Sequence, residues 1–226
     1  MDNAAIVTQS SIDLAPHLLQ AAQGFINLVN NPSQTEAVFD LADGLRPTDL
    51  YQQFIDYAYA QPEVAAIVQG RYKPPAIDLE QLLTYPTDSL GYGYASTLKA
   101  MNLDPNFYRQ IPIEDDYSYL AIRMRQTHDI WHLITGFGTD LAGEMGLQAF
   151  TLAQTHSPLS VTILAATLLH TLKMNGPLNQ VVESLQRGWQ MGLQAKPFLA
   201  QTWEAGWEKS IADWRSELKL LPLTST

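Results

Sequence analysis

The stretch of sequence that decides the fold is residues 123–146, RMRQTHDIWHLITGFGTDLAGEMG. Apolar side chains recur in it at spacings of three and four, as on one face of an α-helix, and the triplet GFG at 136–138 interrupts the pattern. Thr139 or Asp140 can cap a second helix, because both side chains accept a hydrogen bond from the free amides of a first helical turn. The stretch therefore predicts two helices joined by a tight turn.

The rest of the chain repeats this helical spacing, and the period-two alternation typical of strands is hard to find. Several segments begin with a proline of the kind tolerated in a first helical turn: Pro47, Pro62, Pro158, Pro177 and Pro197. Ten helices are predicted, over residues 12–30, 35–45, 47–60, 62–69, 88–101, 116–135, 140–153, 159–174, 178–191 and 197–220. The fold class predicted is all-α.

Two proline-containing segments, 71–77 and 102–114, are the best candidates for loops. Neither is long enough for an independent interdomain linker, and 226 residues suit one medium-sized domain. We therefore expect one single-domain bundle of nine or ten helices over residues 1–226.

Composition excludes several functions. The chain is 46% hydrophobic, which rules out disorder, and its net charge of −10 makes nucleic acid an improbable partner because phosphates repel it. It contains no cysteine, so thiolate metal sites, iron–sulfur clusters and cysteine nucleophiles are excluded. Any transition metal must be held by His, Asp or Glu.

Targeting and membrane-spanning segments are not visible in the sequence. The amino terminus is acidic and lacks a basic region followed by an apolar core. The most apolar window, residues 159–172, is too short and too polar for a bilayer that needs about twenty apolar residues. We expect a cytoplasmic protein that is not an integral membrane protein.

Charge is scarce between residues 147 and 203, where the only charged side chains are Lys173, Glu183, Arg187 and Lys196. One interpretation is a buried centre plus a homodimer face, since low charge is common to cores and obligate interfaces. The other is an apolar pocket or a surface that rests on a membrane. The two interpretations are compatible.

One cluster of residues carries metal-binding chemistry. His128 and His132 are four residues apart on a helix, about 40° around its axis, so both imidazoles point the same way. Asp129 can lean in from the same side, and the break at 136–138 lets the next helix carry Glu144 back. This set suits one divalent ion with an open position, zinc above all, with magnesium or iron as alternatives. The alternative is a polar, hydrogen-bonded cluster that binds no metal.

Two arginines lie near this cluster on the predicted helix. Arg125 falls on the same face, where a guanidinium can hold a carboxylate or phosphate, or can instead pair with Asp129. Arg123 falls on the opposite face, and we expect it to make a solvent or interface contact.

The other candidate residues carry weaker signals. Tyr92 and Tyr94 alternate with glycines, which suits close helix packing or contact with a flat, apolar ligand. His17 and His156 are interpreted as ordinary polar or capping residues. His170 is interpreted as a neutral, hydrogen-bonded core histidine.

The chain resembles a known family, coenzyme Q biosynthesis protein four. The family hallmark is His-Asp, two residues, His, eleven residues and Glu, and His128, Asp129, His132 and Glu144 match it without a gap. Further matching segments are SLGYGYA at 89–95, YLAIRMRQTHDIWHLITGF at 119–137, RGWQMG at 187–192 and W-x6-W-R-x2-L from Trp207.

This resemblance implies an all-helical, often dimeric protein that associates peripherally with membranes. It implies a divalent metal, usually zinc, on the four hallmark residues, near a pocket for polyprenylated lipids. The implied reaction removes the carboxylate of a prenylated hydroxybenzoate ring with oxidative hydroxylation there. Arg125 would orient the carboxylate, Glu144 would take part in catalysis, and Tyr92 and Tyr94 are candidates for lipid contact.

Mitochondrial members of the family carry a presequence, so we expect this chain to resemble the bacterial homologues. Three functions remain open. The first is a metal-dependent oxidative decarboxylase. The second is a lipid-binding scaffold or carrier that presents a prenyl lipid to other quinone-biosynthesis enzymes. The third is a His-Asp metal phosphohydrolase, a class that also needs an upstream histidine, for which His17 is a poor candidate.

Overall fold

The computed structural model describes residues 14–105 and 112–220. The structure is 72% helical, and the described residues form no β-strand. The helices are α1 (Leu14–Asn30), α2 (Thr35–Leu45), α3 (Asp49–Tyr59), α4 (Pro62–Gly70), α5 (Leu79–Leu82), α6 (Leu90–Met101), α7 (Asp116–Thr135), α8 (Leu141–Thr155), α9 (Pro158–Lys173), α10 (Leu178–Gln194) and α11 (Ile211–Glu217). The predicted all-α class is confirmed.

Most predicted helices are present, with shifted ends. Residues 12–13 of the first predicted helix, and residues 106–111 of the predicted loop at 102–114, lie outside the described residues. Residues 71–77 are irregular, as predicted. Helix α5 was not predicted, because four residues are too few to show a helical period. It begins where the Asp78 carboxylate accepts hydrogen bonds from the amides of Glu80 and Gln81.

The predicted helix over 197–220 is wrong. The structure has short 3₁₀ turns at Phe198–Ala200 and Trp203–Gly206, and then α11. The carbonyls of Trp207 and Lys209 accept hydrogen bonds from the amides of Gly91 and Leu90 at 2.8 and 2.9 Å. Because these carbonyls accept hydrogen bonds from the start of α6, they are not available for the backbone hydrogen bonds of a continuous helix.

Helices α8 and α10 pack with almost no side chain between their backbones. A Cβ atom added at Gly188 would lie 1.9 Å from the carbonyl oxygen of Gly146, and one at Gly192 would lie 2.7 Å from that of Phe150. Both glycines of α10 belong to the RGWQMG segment. The close approach therefore explains why this segment needs glycine, and it holds α8 in place.

The core contains a cluster of aromatic rings around the carboxyl-terminal half. Phe198 lies at its centre, with its ring centroid 4.6 Å from that of Phe150, 5.2 Å from that of Trp203 and 5.4 Å from that of Trp131. Trp203 and Phe198 are fully buried. This cluster joins α7 and α8 to the irregular segment before α11.

The expectation of a solvent or interface contact for Arg123 is wrong. Its guanidinium is buried and pairs with the buried Glu204 carboxylate at 2.8 Å, and it lies 5.3 Å from the ring centroid of Tyr72. The helical wheel placed Arg123 away from the metal candidates correctly. However, that opposite face of α7 packs against the segment at 203–206 and is not exposed.

The charge-poor region, residues 147–203, is buried where it belongs to α8 and partly exposed in α9 and α10. Large apolar side chains are exposed at Val161, Leu169, Leu172, Met174 and Leu193. None of the helices in the described residues is both long enough and apolar enough to cross a membrane. The homodimer face and the membrane contact stay predictions.

Candidate metal centre

Three of the four hallmark side chains come together between α7 and α8. The donor atoms of His128, His132 and Glu144 all lie within 4.8 Å of one another. His132 Nε2 is 3.2 Å from His128 Nε2 and 3.2 Å from Glu144 Oε1, and His128 Nε2 is 3.7 Å from Glu144 Oε2. The arrangement predicted from the sequence for these three residues is therefore present.

The local sequence explains how Glu144 reaches the histidines. Helix α7 ends at Thr135, and the next residue, Gly136, has a φ of 80°, in the left-handed region that glycine adopts without strain. The Asp140 carboxylate then accepts a hydrogen bond from the Gly143 amide and caps α8, as predicted. A Cβ atom on Gly143 would lie 2.0 Å from the Gly138 carbonyl oxygen, so the turn is tight enough to require glycine there.

His132 is held in the orientation that a metal ligand needs. Its Nδ1 lies 3.0 Å from the Phe137 carbonyl oxygen, to which it can only donate. A neutral ring that donates from Nδ1 has the lone pair of Nε2 available, and Nε2 is the atom that faces His128 and Glu144. The donor set of two imidazoles and one carboxylate fits zinc or a similar divalent ion with one position open. The residues present therefore fit the metal that the sequence predicted.

The three groups shift one another's pKa. Burial lowers the pKa of His128, and the Glu144 charge offsets this only in part. Burial also lowers the pKa of His132, but the hydrogen bond and charge of Glu144 outweigh it, so that pKa lies above its ordinary value. Burial raises the pKa of Glu144, but the two histidines outweigh it and hold that pKa below its ordinary value. His128 is therefore held neutral, as a ligand must be.

The three donors open into a cavity of about 560 Å³. Its long wall is a stripe of α7 side chains at helical spacing: Tyr117, Ala121, Arg125, His128 and His132. From Tyr117 to His132 the helix rises about 22 Å. The opposing walls come from α2, α3, α8 and α9 and are largely apolar. Met101 and Leu103, which are exposed, also line the cavity, so it reaches the surface near the end of α6.

Arg125 and Asp129 line this same cavity. The Arg125 guanidinium carbon lies 4.5 Å from the ring centroid of Phe39, about one helical turn before His128. No oxygen of Asp129 belongs to the group of mutually close donor atoms. The role of Asp129 as a fourth ligand stays a prediction.

The structure does not bring Tyr92 and Tyr94 into the cavity. Neither residue is among those that line it, and Tyr94 is buried with its ring centroid 5.1 Å from that of Trp207. Of the two roles that the alternating glycines suggested, this contact of Tyr94 agrees with close packing.

The remaining three histidines, all in the described residues, do not line the cavity, and His170, interpreted as a core histidine, is only partly buried. His170 Nδ1 lies 3.0 Å from the Val29 carbonyl oxygen, and His156 ends α8 with its ring stacked 3.6 Å from that of Tyr57. His17 is on α1 and does not line the cavity. The site thus does not include the upstream histidine that the phosphohydrolase class requires.

Sequence reasoning missed two parts of the site. The Phe137 carbonyl is a backbone group, so no residue type in the sequence indicates its contact with His132. The GFG triplet predicted only the turn that contains it. The cavity walls of α2 and α3, including Phe39, Tyr51 and Phe54, look like ordinary apolar helix positions in the sequence. No pattern along the chain distinguishes such positions from core.

Comparison with known proteins identifies the family. Residues 11–224 match the family model described as "Coenzyme Q (ubiquinone) biosynthesis protein Coq4". Curated relatives are mitochondrial ubiquinone biosynthesis proteins COQ4, one from Eremothecium gossypii with 27% identity over 66% of this chain, and one from Candida dubliniensis with 23% identity over 83%. These alignments cover 47% and 59% of the two relatives, so the chain spans about half their length.

A solved structure agrees with the family match. A crystal structure of a candidate ubiquinone biosynthesis protein from Nostoc punctiforme PCC 73102 has a TM-score of 0.80 and 33% sequence identity to this chain. The match covers 88% of this chain and 96% of that one. The family match, the curated relatives and this fold agree. The chain belongs to the coenzyme Q (ubiquinone) biosynthesis protein Coq4 family.

Proposed function

We propose that this protein is a metal-dependent enzyme of quinone biosynthesis that removes the carboxyl group of a prenylated hydroxybenzoate. The observation that carries the proposal is that the three candidate metal ligands line a cavity whose other walls are largely apolar. A volume of about 560 Å³ lies within the range of roughly 300–1,000 Å³ for sites that bury small organic ligands. A polar headgroup can then sit at the metal while an isoprenoid chain contacts the apolar walls.

Different groups of the cavity have different roles in the proposed reaction. A bound metal supplies a Lewis acid for an oxygen of the headgroup. Arg125 binds and orients the carboxylate, and the apolar walls contact the isoprenoid chain. Replacing the carboxyl group by hydroxyl consumes one water and yields carbon dioxide, two protons and two electrons. The electrons pass to an acceptor such as dioxygen, and Glu144 is placed to accept a proton.

Release of labelled carbon dioxide from a hydroxybenzoate with a short prenyl chain tests this function. The zinc-loaded protein should release it, and His132→Ala should lose both metal and turnover. Arg125→Gln should keep the metal but lose turnover, because it keeps the three ligands and removes the group that orients the carboxylate. Lys99→Gln, which removes an exposed cation paired with Glu80, is the matched control and should keep both. Full turnover by metal-free His132→Ala would contradict the proposal.

A second candidate is a carrier or scaffold that presents a prenyl lipid to other quinone-biosynthesis enzymes. It is favoured by the apolar side chains exposed on α9, which offer a surface to a partner. In that case the protein should retain an isoprenoid lipid but release no carbon dioxide. Replacing Ala121 in the cavity wall by Trp should then abolish lipid retention without affecting the metal.

The same surface supports a peripheral membrane contact or a homodimer. Val161, Leu169 and Leu172 are exposed on one helix that carries no acidic residue. Flotation with lipid vesicles tests the membrane contact, and light scattering of the purified protein tests the dimer. Val161→Ser/Leu169→Ser should weaken whichever of the two exists, and Lys196→Gln serves as a control on the same charge-poor region.

A further inference from the structure

The last turn of α7 receives hydrogen bonds from a distant part of the chain. Arg215, on α11, donates from Nε to the Ile134 carbonyl at 2.8 Å and from Nη2 to the Leu133 carbonyl at 3.0 Å. These two carbonyls belong to the last turn of the helix, where no following helical amide is available. A cation at this position also interacts favourably with the partial negative charge at the carboxyl end of the helix.

This turn is the one that orients His132. The amide of Gly136 donates to the His132 carbonyl at 2.8 Å, and the carbonyl of the next residue, Phe137, accepts from His132 Nδ1 at 3.0 Å. The position of the Phe137 carbonyl therefore depends on how the chain leaves the helix. Arg215 binds the carbonyls of Leu133 and Ile134, two of the three residues between His132 and Gly136.

Arg215 is itself held by a well-anchored segment. The Ser210 hydroxyl caps α11 by accepting from the Asp213 amide, and the Ile211 amide donates to the Asp88 carbonyl at 3.0 Å. Trp214 is buried, with its ring centroid 4.7 Å from that of Trp203. Trp214, the residue before Arg215, thus fixes this part of the backbone to the core.

We propose that Arg215 is a positioning residue for the candidate metal centre. By binding the Leu133 and Ile134 carbonyls it holds the exit turn of α7, and with it the Phe137 carbonyl that aligns His132. The inference rests on the metal centre of the proposed function. It gives the arginine of the W-x6-W-R-x2-L segment a role at a site 83 residues earlier in the chain.

Titration of the metal-free protein with Co²⁺ tests this role, because the visible absorption of bound Co²⁺ reports both affinity and ligand geometry. Arg215→Gln should bind Co²⁺ about tenfold more weakly and should change the absorption spectrum. Loss of a group that orients a metal ligand typically weakens binding about 10- to 100-fold, and Arg215 acts through the backbone, so we expect the lower value. Arg215→Lys should lie between it and the parent, since an ammonium keeps the charge but not the two-pronged geometry. Lys219→Gln removes the same charge from an exposed residue nearby and should match the parent.

Two other outcomes would be decisive. If Arg215→Gln lowers only the thermal midpoint and leaves Co²⁺ affinity and spectrum at parent values, Arg215 merely stabilises the fold and the inference is overturned. If the parent protein itself binds no Co²⁺, the metal centre fails and the inference fails with it. The first outcome leaves the proposed function intact and the second does not.

Discussion

At the scale of single residues, the site depends on which nitrogen of His132 faces the other ligands. The hydrogen bond to the Phe137 carbonyl occupies Nδ1, so Nε2 is left for Glu144 and His128 or for a metal. The spacing in the sequence predicted which residues meet. It could not predict the nitrogen, because the partner is a backbone carbonyl that any residue would supply.

Metal affinity should depend on pH through His132. Its pKa is raised above the ordinary 6.5 by Glu144, and a metal must displace that proton. Affinity should therefore fall as pH drops through the raised pKa, by about tenfold per pH unit below it for one proton. Titrations with Zn²⁺ at several values between about pH 6 and pH 8 measure this. In Glu144→Gln the fall should move to lower pH, and an affinity that is flat across this range would refute the assignment.

At the scale of helices, the site is a meeting of two elements whose ends are fixed by capping. Asp115 caps α7 by accepting from the Ser118 amide at 2.7 Å, and the Ser118 hydroxyl accepts in return from the Asp115 amide. At the other end Gly136 stops the helix. The direction and length of α7, and hence the height of the histidines along the cavity wall, follow from these two ends.

Removing the cap at Asp115 should destabilise the fold in a pH-dependent way. Asp115→Ala should cost about 1 kcal/mol at neutral pH. Burial raises the pKa of Asp115, but its hydrogen bonds with Ser118 outweigh this and lower the pKa below its ordinary 3.8. A lowered folded pKa gives stability that is present above 3.8 and lost as pH falls further. Urea unfolding at neutral and acid pH measures this, with Asp115→Asn as the control that keeps a cap without the charge.

The close packing of α8 on α10 should tolerate no added methyl group. Gly188→Ala should destabilise the protein by about 3 kcal/mol, because the new Cβ would meet the Gly146 carbonyl and push α8 away. Since α8 carries Glu144, metal affinity should fall as well. Gly70→Ala is the matched control: it meets nothing within 4 Å and should be neutral or stabilising by about 0.5 kcal/mol. Equal unfolding midpoints for the two variants would contradict this account of the packing.

At the scale of the whole molecule, the segment after α10 holds α7 at two points. Arg215 binds the carbonyls of its last turn, and Glu204 pairs with Arg123 near its middle. The sequence predicted α7 and the two histidines well, because one helix with a four-residue spacing is a local pattern. It predicted the segment at 197–220 wrongly, because there the backbone binds α6, a contact that local periodicity does not report. An apolar pocket was predicted, but its walls from α2 and α3 were missed for the same reason.

Breaking the buried ion pair from one side should be costly. Arg123→Met leaves the buried Glu204 carboxylate unpaired and should lower the free energy of unfolding by about 3 to 5 kcal/mol. Arg123→Met/Glu204→Met removes both charges and should recover most of that loss, because two apolar side chains leave no unpaired group. Chemical denaturation of the single and double variants measures the difference. A double variant that is less stable than the single one would contradict this account, because the pair is already broken in the single variant and removal of the unpaired carboxylate should restore stability.

The central claim is that His128, His132 and Glu144 bind a divalent metal beside a cavity for an isoprenoid ligand. Native mass spectrometry of the purified protein, beside His128→Ala/His132→Ala, tests it most directly. The account predicts about one divalent metal per chain, zinc first and otherwise iron or magnesium, lost in the double variant, together with a retained isoprenoid mass. A parent protein that carries neither metal nor lipid after incubation with both would contradict the claim and reduce the His-Asp segment to a structural role.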